Sequence, residues 1–258
     1  MSTPTLTPAE RADRLRALHH AGEPLVLPNA WDAASARAFA GLGFPALATT
    51  SAGVAQALGF EDGERAPADE MLSAAARIAA AVEVPVSFDM EAGYGLPAAE
   101  LAERLLAAGA AGLNLEDSDH ARGGLVEAEA QASRIAAVKG AGRSAGADLV
   151  LNARVDVYVR QVGEPEGRLD EALRRAHLYF EAGADCVYPL LLQEEGELGA
   201  FVARAGGPVN VLLRPGAPPL ARLAELGVAR VTFASGLLRV ALKAATANLE
   251  ELGRLPAG

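Results

Sequence analysis

The chain has 258 residues, of which 51% are hydrophobic and 5% aromatic, and its formal net charge is −10. This length suits one large α/β domain or two smaller ones, while the negative charge and the lack of a basic cluster argue against nucleic acid or an anionic membrane as a partner. No apolar run approaches the roughly 20 residues of a membrane span, and residues 1–10 have no signal-peptide core, so we predict a cytoplasmic protein.

Short apolar strands and longer helices alternate along the chain. A first amphipathic helix at 8–20 carries Leu15 and Leu18 on its apolar face and has Thr7 at the N-cap position. The predicted strands are residues 25–27, 46–49, 84–88, 112–115, 149–153, 186–188, 209–212 and 230–233. The predicted helices that follow them are residues 31–40, 67–82, 97–108, 127–139, 169–181, 196–205, 220–226 and 236–252.

Eight strand–helix units of about 25 to 35 residues match a (β/α)8 barrel in count and length. An open doubly wound sheet usually has a glycine-rich phosphate turn after its first strand, but this chain reads Pro28-Asn29-Ala30-Trp31 there. No break in composition separates two domains. We therefore predict one TIM-type barrel domain over 1–258, with an N-terminal extension and helix at 1–22 and a C-terminal helix at 237–258.

The active site of such a barrel lies at the carboxyl ends of its strands. The residues found there are Asn29, Trp31 and Asp32; Thr50, Ser51, Ala52 and Asp62; Asp89 and Glu91; Glu116 and Asp117; Asn152, Arg154 and Asp156; Asn210 and Arg214. Alternate residues of a strand face the same side, so we expect Asp89 and Glu91 to point together. Paired carboxylates suit Mg²⁺ or Mn²⁺; the alternative is two solvated acids in a loop.

Arg154 is the candidate anion-binding residue, because a guanidinium matches a carboxylate or phosphonate. The alternative is a salt bridge to Glu116 or Asp156. A Schiff-base aldolase would need a lysine at a strand end, and Lys139 and Lys243 both lie in predicted helices.

One histidine lies where it could reach the site. His120 follows the fourth strand, whereas His19, His20 and His177 lie in helices and are expected at the surface or, for His177, in packing. The single cysteine, Cys186, excludes an intrachain disulfide and is expected to be a core residue. The segment 117–126 is polar, contains paired glycines and has the composition of a mobile lid; an ordinary exposed loop is the alternative.

Four motifs resemble those of the isocitrate lyase/phosphoenolpyruvate mutase family, over roughly residues 25–241. Asp89-Met-Glu91-Ala-Gly-Tyr-Gly resembles the family's Asp-x-Asp-x-Gly-Tyr-Gly. The other three are Gly59-Phe-Glu-Asp62, Leu115-Glu116-Asp117 and Asn152-Ala-Arg154-Val-Asp156. The resemblance implies a Mg²⁺-dependent (or Mn²⁺-dependent) barrel that makes or breaks C–C or P–C bonds of small 2-oxo or 2-hydroxy carboxylates through a metal-stabilised enolate.

The resemblance also implies roles for individual residues. Asp89, Glu91 and Glu116, with Asp62 behind them, would hold the metal and its waters, and Arg154 would bind the substrate carboxylate. The implied substrate-binding residues are Thr50, Ser51, Ala52, Arg154 and Asn210. Family members are homo-oligomers, and apolar residues on more than one face of 237–252 fit a homotetramer or homodimer.

The chain departs from the family pattern at several positions. Glu91 stands where the family usually has Asp, the lid lacks the lyases' cysteine, and Arg122 and Gly124 align with the mutases' lysine and asparagine. Arg122 and His120 remain the lid's candidate catalytic residues. We expect C–C cleavage of a small oxo acid, such as oxaloacetate decarboxylation or alkylmalate lysis. P–C chemistry, or a non-catalytic carboxylate-binding barrel, is the alternative.

Overall fold

The computed structural model describes residues 6–253, in which parallel strands alternate with helices. The strands are β1 (Leu25–Leu27), β2 (Asn29–Ala30), β3 (Leu47–Thr49), β4 (Val86–Asp89), β5 (Gly112–Glu116), β6 (Val150–Val155), β7 (Cys186–Pro189), β8 (Asn210–Leu212) and β9 (Arg230–Thr232). The helices are α1 (Pro8–Leu18), α2 (Ala33–Gly41), α3 (Ser51–Leu58), α4 (Ala68–Ala80), α5 (Ala98–Ala107), α6 (Ala128–Ser144), α7 (Val157–Arg160), α8 (Arg168–Glu181), α9 (Glu195–Arg204), α10 (Leu220–Glu225) and α11 (Gly236–Leu252). A 3-10 turn at Pro165–Gly167 precedes α8.

The strands pair in a ring, as expected for a (β/α)8 barrel. One run of pairing is β2-β3-β4-β5-β6-β7 and the other is β1-β9-β8, and a parallel bridge between Val187 and Val209 joins them. Strands β1 and β2 are two halves of the first barrel strand, separated by Pro28, which has no N–H to donate. The first half pairs with β9 and the second with β3, so the ring closes at Pro28 and the predicted fold is confirmed.

Two apolar layers hold the barrel together. Alternate strand residues, such as Phe88, Leu113 and Leu151, point outward and pack with the helices. A second cluster contains Leu15 of α1 with Leu25, Leu27, Ala48 and Val150 of the strands. The strand residues of this cluster point into the barrel, on the face opposite to the one that packs with the outer helices. Leu15 packs against them from α1, so α1 closes the amino-terminal end of the barrel. The carboxyl end, where the acids lie, stays accessible.

Some sequence predictions about the elements need correction. Helices α3 and α7 lie in segments that we expected to be loops, and α6 is longer than predicted. His19 is not a surface residue: it is buried, and its Nδ1 lies 2.8 Å from the Leu15 carbonyl. His20 and His177 are exposed, and Cys186 is a buried core residue as expected.

No helix among residues 6–253 is long and apolar enough to cross a membrane.

Candidate active site

The site is centred on Asp89, the last residue of β4. One carboxylate oxygen, Oδ2, accepts hydrogen bonds from the Ser51 amide (3.0 Å) and hydroxyl (3.1 Å). Thr49 Oγ1 accepts from the Asp89 amide at 2.8 Å. The other oxygen, Oδ1, is buried and has no hydrogen-bond partner among the described residues. A buried anionic oxygen without a donor is costly, and a cation would satisfy it.

Helix α3 places the predicted substrate-binding residues Thr50, Ser51 and Ala52. Thr50 is its N-cap, and the Thr50 side chain accepts from the Gly53 amide at 3.4 Å. The positive end of a helix dipole stabilises an anion, and Asp89 lies there. A Cβ at Gly53 would come within 2.5 Å of Thr50 Cγ2, so glycine is required at this close approach.

Glu91 does not extend the strand, and the prediction that strand alternation aligns it with Asp89 is wrong. Strand β4 ends at Asp89, and Glu91 has a φ of +47°. Glu64 and Tyr94 also have positive φ. These residues are mutually bonded: Glu91 accepts from the Glu64 amide (2.7 Å) and the Tyr94 hydroxyl, and Glu64 accepts from the Tyr94 amide. Burial, together with the charges of Asp62 and Asp89, raises the pKa of Glu91 to about 7.

Arg154 forms both of the salt bridges considered as its alternative role. Its Nη2 contacts Glu116 Oε2, and its Nε and Nη2 donate to Asp156 at 2.7 and 2.6 Å. Glu116 is the last residue of β5 and is buried; burial raises its pKa, while Arg154 and His120 act in the opposite direction. His120 Nε2 lies 2.7 Å from Glu116 Oε1, which raises the pKa of His120.

Two other predicted site residues, Arg122 and Asn210, lie further from this cluster, whereas Asp62 lies beside Ser51. The Arg122 side chain is 89% exposed and its nearest charged partner is Asp119 at 4.0 Å, so the structure does not bring Arg122 to the site. Asn210 is the first residue of β8, not a residue beyond its end, and accepts from Thr232 Oγ1 inside the barrel at 3.2 Å. Asp62 lies at the rim, where partial burial and the charge of Asp89 raise its pKa.

A polar layer lies inside the barrel between this site and the cluster around Leu15 at the closed end, which we call the apolar plug. Asn114 Oδ1 accepts from Asn152 Nδ2 (2.9 Å) and from Arg230 Nη2 (3.3 Å), and Arg230 is fully buried. Sequence reasoning missed Arg230, although a charged residue opening the apolar run 230–233 was a usable signal. It also missed Ser118 and Arg160, which bond to each other at 2.9 Å.

The acidic side chains lie around Asp89, but their oxygens do not converge on one position where a metal ion could be bound. Among residues 6–253, no three His, Cys, Asp or Glu side chains are grouped so as to hold a metal ion directly. The donors are nonetheless oxygens of the kind that Mg²⁺ and Mn²⁺ prefer. Asp89 Oδ1 and Glu116 Oε2 are both buried without a hydrogen-bond partner among the described residues, but Glu116 Oε2 contacts the Arg154 guanidinium and both oxygens of Glu91 accept hydrogen bonds, so Asp89 Oδ1 is the oxygen most available for direct contact.

Comparisons with known proteins agree with this fold. The family model described as phosphoenolpyruvate phosphomutase matches residues 15–253. The chain belongs to the isocitrate lyase/phosphoenolpyruvate mutase family, whose members are lyases and phosphonomutases. It is 32% identical to 2-methylisocitrate lyase of Bacillus subtilis over 248 residues, which covers 91% of this chain and 79% of that protein.

Two solved structures extend the comparison. A proposed phosphonomutase from Burkholderia cenocepacia J2315 is 41% identical, with a TM-score of 0.89 over 93% of this chain and 99% of that one. An oxaloacetate acetylhydrolase in complex with its product oxalate is 28% identical, with a TM-score of 0.83 over 95% of this chain and 88% of that one.

Proposed function

We propose that this enzyme cleaves a C–C bond of a small 2-oxo or 2-hydroxy carboxylate with the help of Mg²⁺ or Mn²⁺. The observation that carries the proposal is Asp89, whose buried Oδ1 lacks a partner among residues 6–253 and is surrounded by further acids. Breaking a bond next to a carbonyl leaves negative charge on the carbonyl oxygen, and a bound divalent cation stabilises that charge.

Asp89 would contact the cation directly, and Glu91, Glu116 and Asp62 would act through water. This division follows from their bonding, because Glu91 and Glu116 are each held by two donors. Arg154 is fixed in place by Asp156 and would orient the substrate carboxylate beside the cation. The hydroxyls of Thr50 and Ser51 would line the substrate side.

Within this class, oxaloacetate decarboxylation or alkylmalate lysis fits the lid best. The likeness to an oxaloacetate acetylhydrolase supports a substrate of this kind. The lid has no cysteine to protonate a product carbanion, and the exposed Arg122 does not reach the site. Decarboxylation asks least of the lid, since CO2 leaves unassisted and water protonates the enolate.

P–C bond chemistry is the second candidate. The match to the phosphomutase family model and the 41% identity to a proposed phosphonomutase support it. Arg154 would then hold a phosphonyl oxygen in place of a carboxylate oxygen.

The test is a panel of oxaloacetate, phosphonopyruvate, alkylmalates and methylisocitrate with Mg²⁺. Asp89→Asn and Arg154→Ala are expected to lower turnover by at least about 10²-fold. Asp69→Asn, at an exposed aspartate paired with Arg104, is the matched control and should leave turnover unchanged. Calorimetry with Mg²⁺ plus oxalate, an enolate mimic, should detect binding that Asp89→Asn abolishes. Turnover that survives both site substitutions would contradict the assignment, and rapid methylisocitrate cleavage would contradict the lid argument.

We further propose that the chain forms a homodimer or homotetramer through α11. Leu238 is the buried residue of this helix, while Val240, Leu249 and Leu252 are 67%, 66% and 60% exposed. Apolar side chains that recur along a protruding helix mark a protein interface.

A further inference from the structure

Arg160, at the end of α7, connects the lid to the body of the barrel. Its Nε donates to Ser118 Oγ at 2.9 Å, and its Nη2 lies 3.5 Å from His120 Nδ1. Ser118 and His120 both belong to the lid segment 117–126, whereas Arg160 belongs to the next strand–helix unit. One side chain therefore holds two lid residues.

These contacts are part of a closed ring. Ser118 Oγ donates to Asp156 Oδ2, Asp156 accepts from Arg154, Arg154 contacts Glu116, and Glu116 contacts His120. The members of the ring are Arg160, Ser118, Asp156, Arg154, Glu116 and His120. Four of them were named as candidates from sequence, but the ring is closed only by Arg160 and Ser118.

The direction of every hydrogen bond in the ring is fixed by chemistry. A guanidinium only donates and an ionised carboxylate only accepts. Ser118 must therefore accept from Arg160 and donate to Asp156. His120 must accept at Nδ1 and donate from Nε2 to Glu116, so the ring permits one neutral tautomer, with the proton on Nε2.

The lid segment 117–126 is folded as a hairpin whose base includes Ser118 and Leu125. Ser118 and Leu125 form an antiparallel bridge, the Asp119 amide donates to the Gly124 carbonyl at 3.1 Å, and the Gly123 amide donates to the Asp119 carbonyl at 2.9 Å. A hairpin of this kind moves as a unit, and holding Ser118 and His120 holds the lid.

We propose that Arg160 is a positioning residue that clasps the base of the lid and keeps His120 as the Nε2–H tautomer facing Glu116. The proposal deepens the proposed function and rests on it only for the kinetic readout. Without Arg160, Ser118 keeps its bond to Asp156 and His120 keeps its contact with Glu116, but His120 loses the donor at Nδ1 and the base of the lid loses its contacts with α7, so the lid detaches more often.

Limited proteolysis tests the clasp without any substrate. Arg122 is the single Lys or Arg in 117–126, so trypsin cleavage after it reports detachment of the lid. Arg160→Met is expected to speed this cleavage about tenfold, the worth of roughly one net hydrogen bond. Arg143→Met, at an exposed arginine 3.6 Å from Asp148, should leave the rate unchanged. Equal cleavage of wild type and Arg160→Met, with both folded by thermal melting, would overturn the clasp.

Histidine ¹⁵N NMR tests the tautomer. The His120 resonances are identified as those lost in His120→Gln. At a pH above the raised pKa of His120, where the ring is neutral, wild type should show a protonated Nε2 and a bare Nδ1, Arg160→Met should show a mixture of tautomers, and Arg160→Lys should restore part of the preference. A neutral wild-type ring with its proton on Nδ1, or an unchanged pattern in Arg160→Met, would overturn the assignment.

Kinetics with a substrate found by the panel provide the third readout. Arg160→Met should lower kcat about tenfold with KM nearly unchanged, because substrate contacts remain while the lid and His120 lose their placement. An unchanged kcat would contradict a positioning role. If the panel finds no substrate, proteolysis and NMR still decide the proposal, so its failure is distinguishable from failure of the proposed function.

Discussion

At the scale of single residues, His19 shows how burial sets a charge state. It lies at the closed end of the barrel, 5% exposed, with Nδ1 against the Leu15 carbonyl. Burial and the charge of Arg230 lower the pKa of His19 to about 4. The folded protein therefore holds His19 neutral at pH values where an unfolded chain would protonate it.

The free energy of unfolding should decrease as the pH is lowered, because His19 is held neutral in the folded protein. Its folded pKa lies below the unfolded value of about 6.5, so the contribution is complete above pH 6.5 and is lost as pH falls toward 4. Between pH 7 and 5 the loss should be about 2 kcal/mol. Urea unfolding of wild type and His19→Gln at both pH values measures it, with exposed His20→Gln as control. An identical pH dependence in wild type and His19→Gln would contradict the account.

Much of the site was predictable at this scale, because Asp89, Glu116 and Arg154 follow apolar runs in the sequence. The conformation of Glu91 was not predictable. A positive φ at a non-glycine residue persists only where surrounding contacts impose it, and here Glu64 and Tyr94 impose it. The meeting of Ser118 with Arg160 brings together the segment after β5 and helix α7 after β6, and no local sequence pattern encodes that contact.

At the scale of secondary-structure elements, the strands were the readily predicted part. Strands of a parallel barrel are buried on both faces and read as apolar runs, so eight of the nine were located within about two residues, whereas β2, which follows Pro28, was not predicted. Helix α3 was missed because its first two residues, Ser51 and Ala52, are among those we assigned to substrate binding, and because it contains Gly53, a poor helix former. What makes it a helix is its cap, Thr50, and its packing.

Helix α3 should be sensitive to one methyl group. Gly53→Ala would place a Cβ 2.5 Å from Thr50 Cγ2 and 3.3 Å from Trp31 Cβ. The start of α3 must then shift and carry Ser51 away from Asp89. We expect Mg²⁺-dependent oxalate binding to weaken at least about tenfold. Gly140→Ala in α6, where nothing lies within 4 Å, should instead stabilise the fold by about 0.5–1 kcal/mol. Equal binding by wild type and Gly53→Ala would show that α3 does not position the site.

Helix α11 should carry the assembly interface. Leu249→Glu places a charge in the exposed apolar surface, and burying that charge against a partner is costly. Sedimentation should show the wild type as a dimer or tetramer and Leu249→Glu as a monomer at the same micromolar concentration. Asn248→Glu adds the same charge at a neighbouring polar position and should leave the assembly intact. A wild type that sediments as a monomer would refute the interface.

At the scale of the whole molecule, the residues that stabilise the fold and the residues proposed for catalysis lie at different depths along the barrel axis. The apolar plug with Leu15 and Leu27 closes one end, the polar layer with Arg230 lies in the middle, and the acids lie at the open end. Fold stability thus depends mainly on the outer layer and the plug, and the polar end is left for chemistry.

The joint between β1 and β9 should form late in folding. Val231 is fully buried at this joint, and Val155 is equally buried in β6 among strands that are close in sequence. Each Val→Ala change should cost about 2 kcal/mol. Val231→Ala should chiefly speed unfolding, whereas Val155→Ala should also slow refolding, because contacts between distant residues form after local ones. Denaturant-jump kinetics separates the two, and an equally slowed refolding of Val231→Ala would place the joint in the folding nucleus.

The split at Pro28 has a consequence for a chain that is still being synthesised. Leu25 pairs with Arg230 and Leu27 with Thr232, so the first strand emerges from the ribosome long before its partner exists. Until that partner arrives, β1 is an unpaired edge, and unpaired edges invite association with other chains. Only the three residues of β1, Leu25–Leu27, wait for β9 in this way, because β2 already pairs with β3. The shortness of β1 thus limits the edge that the nascent barrel exposes.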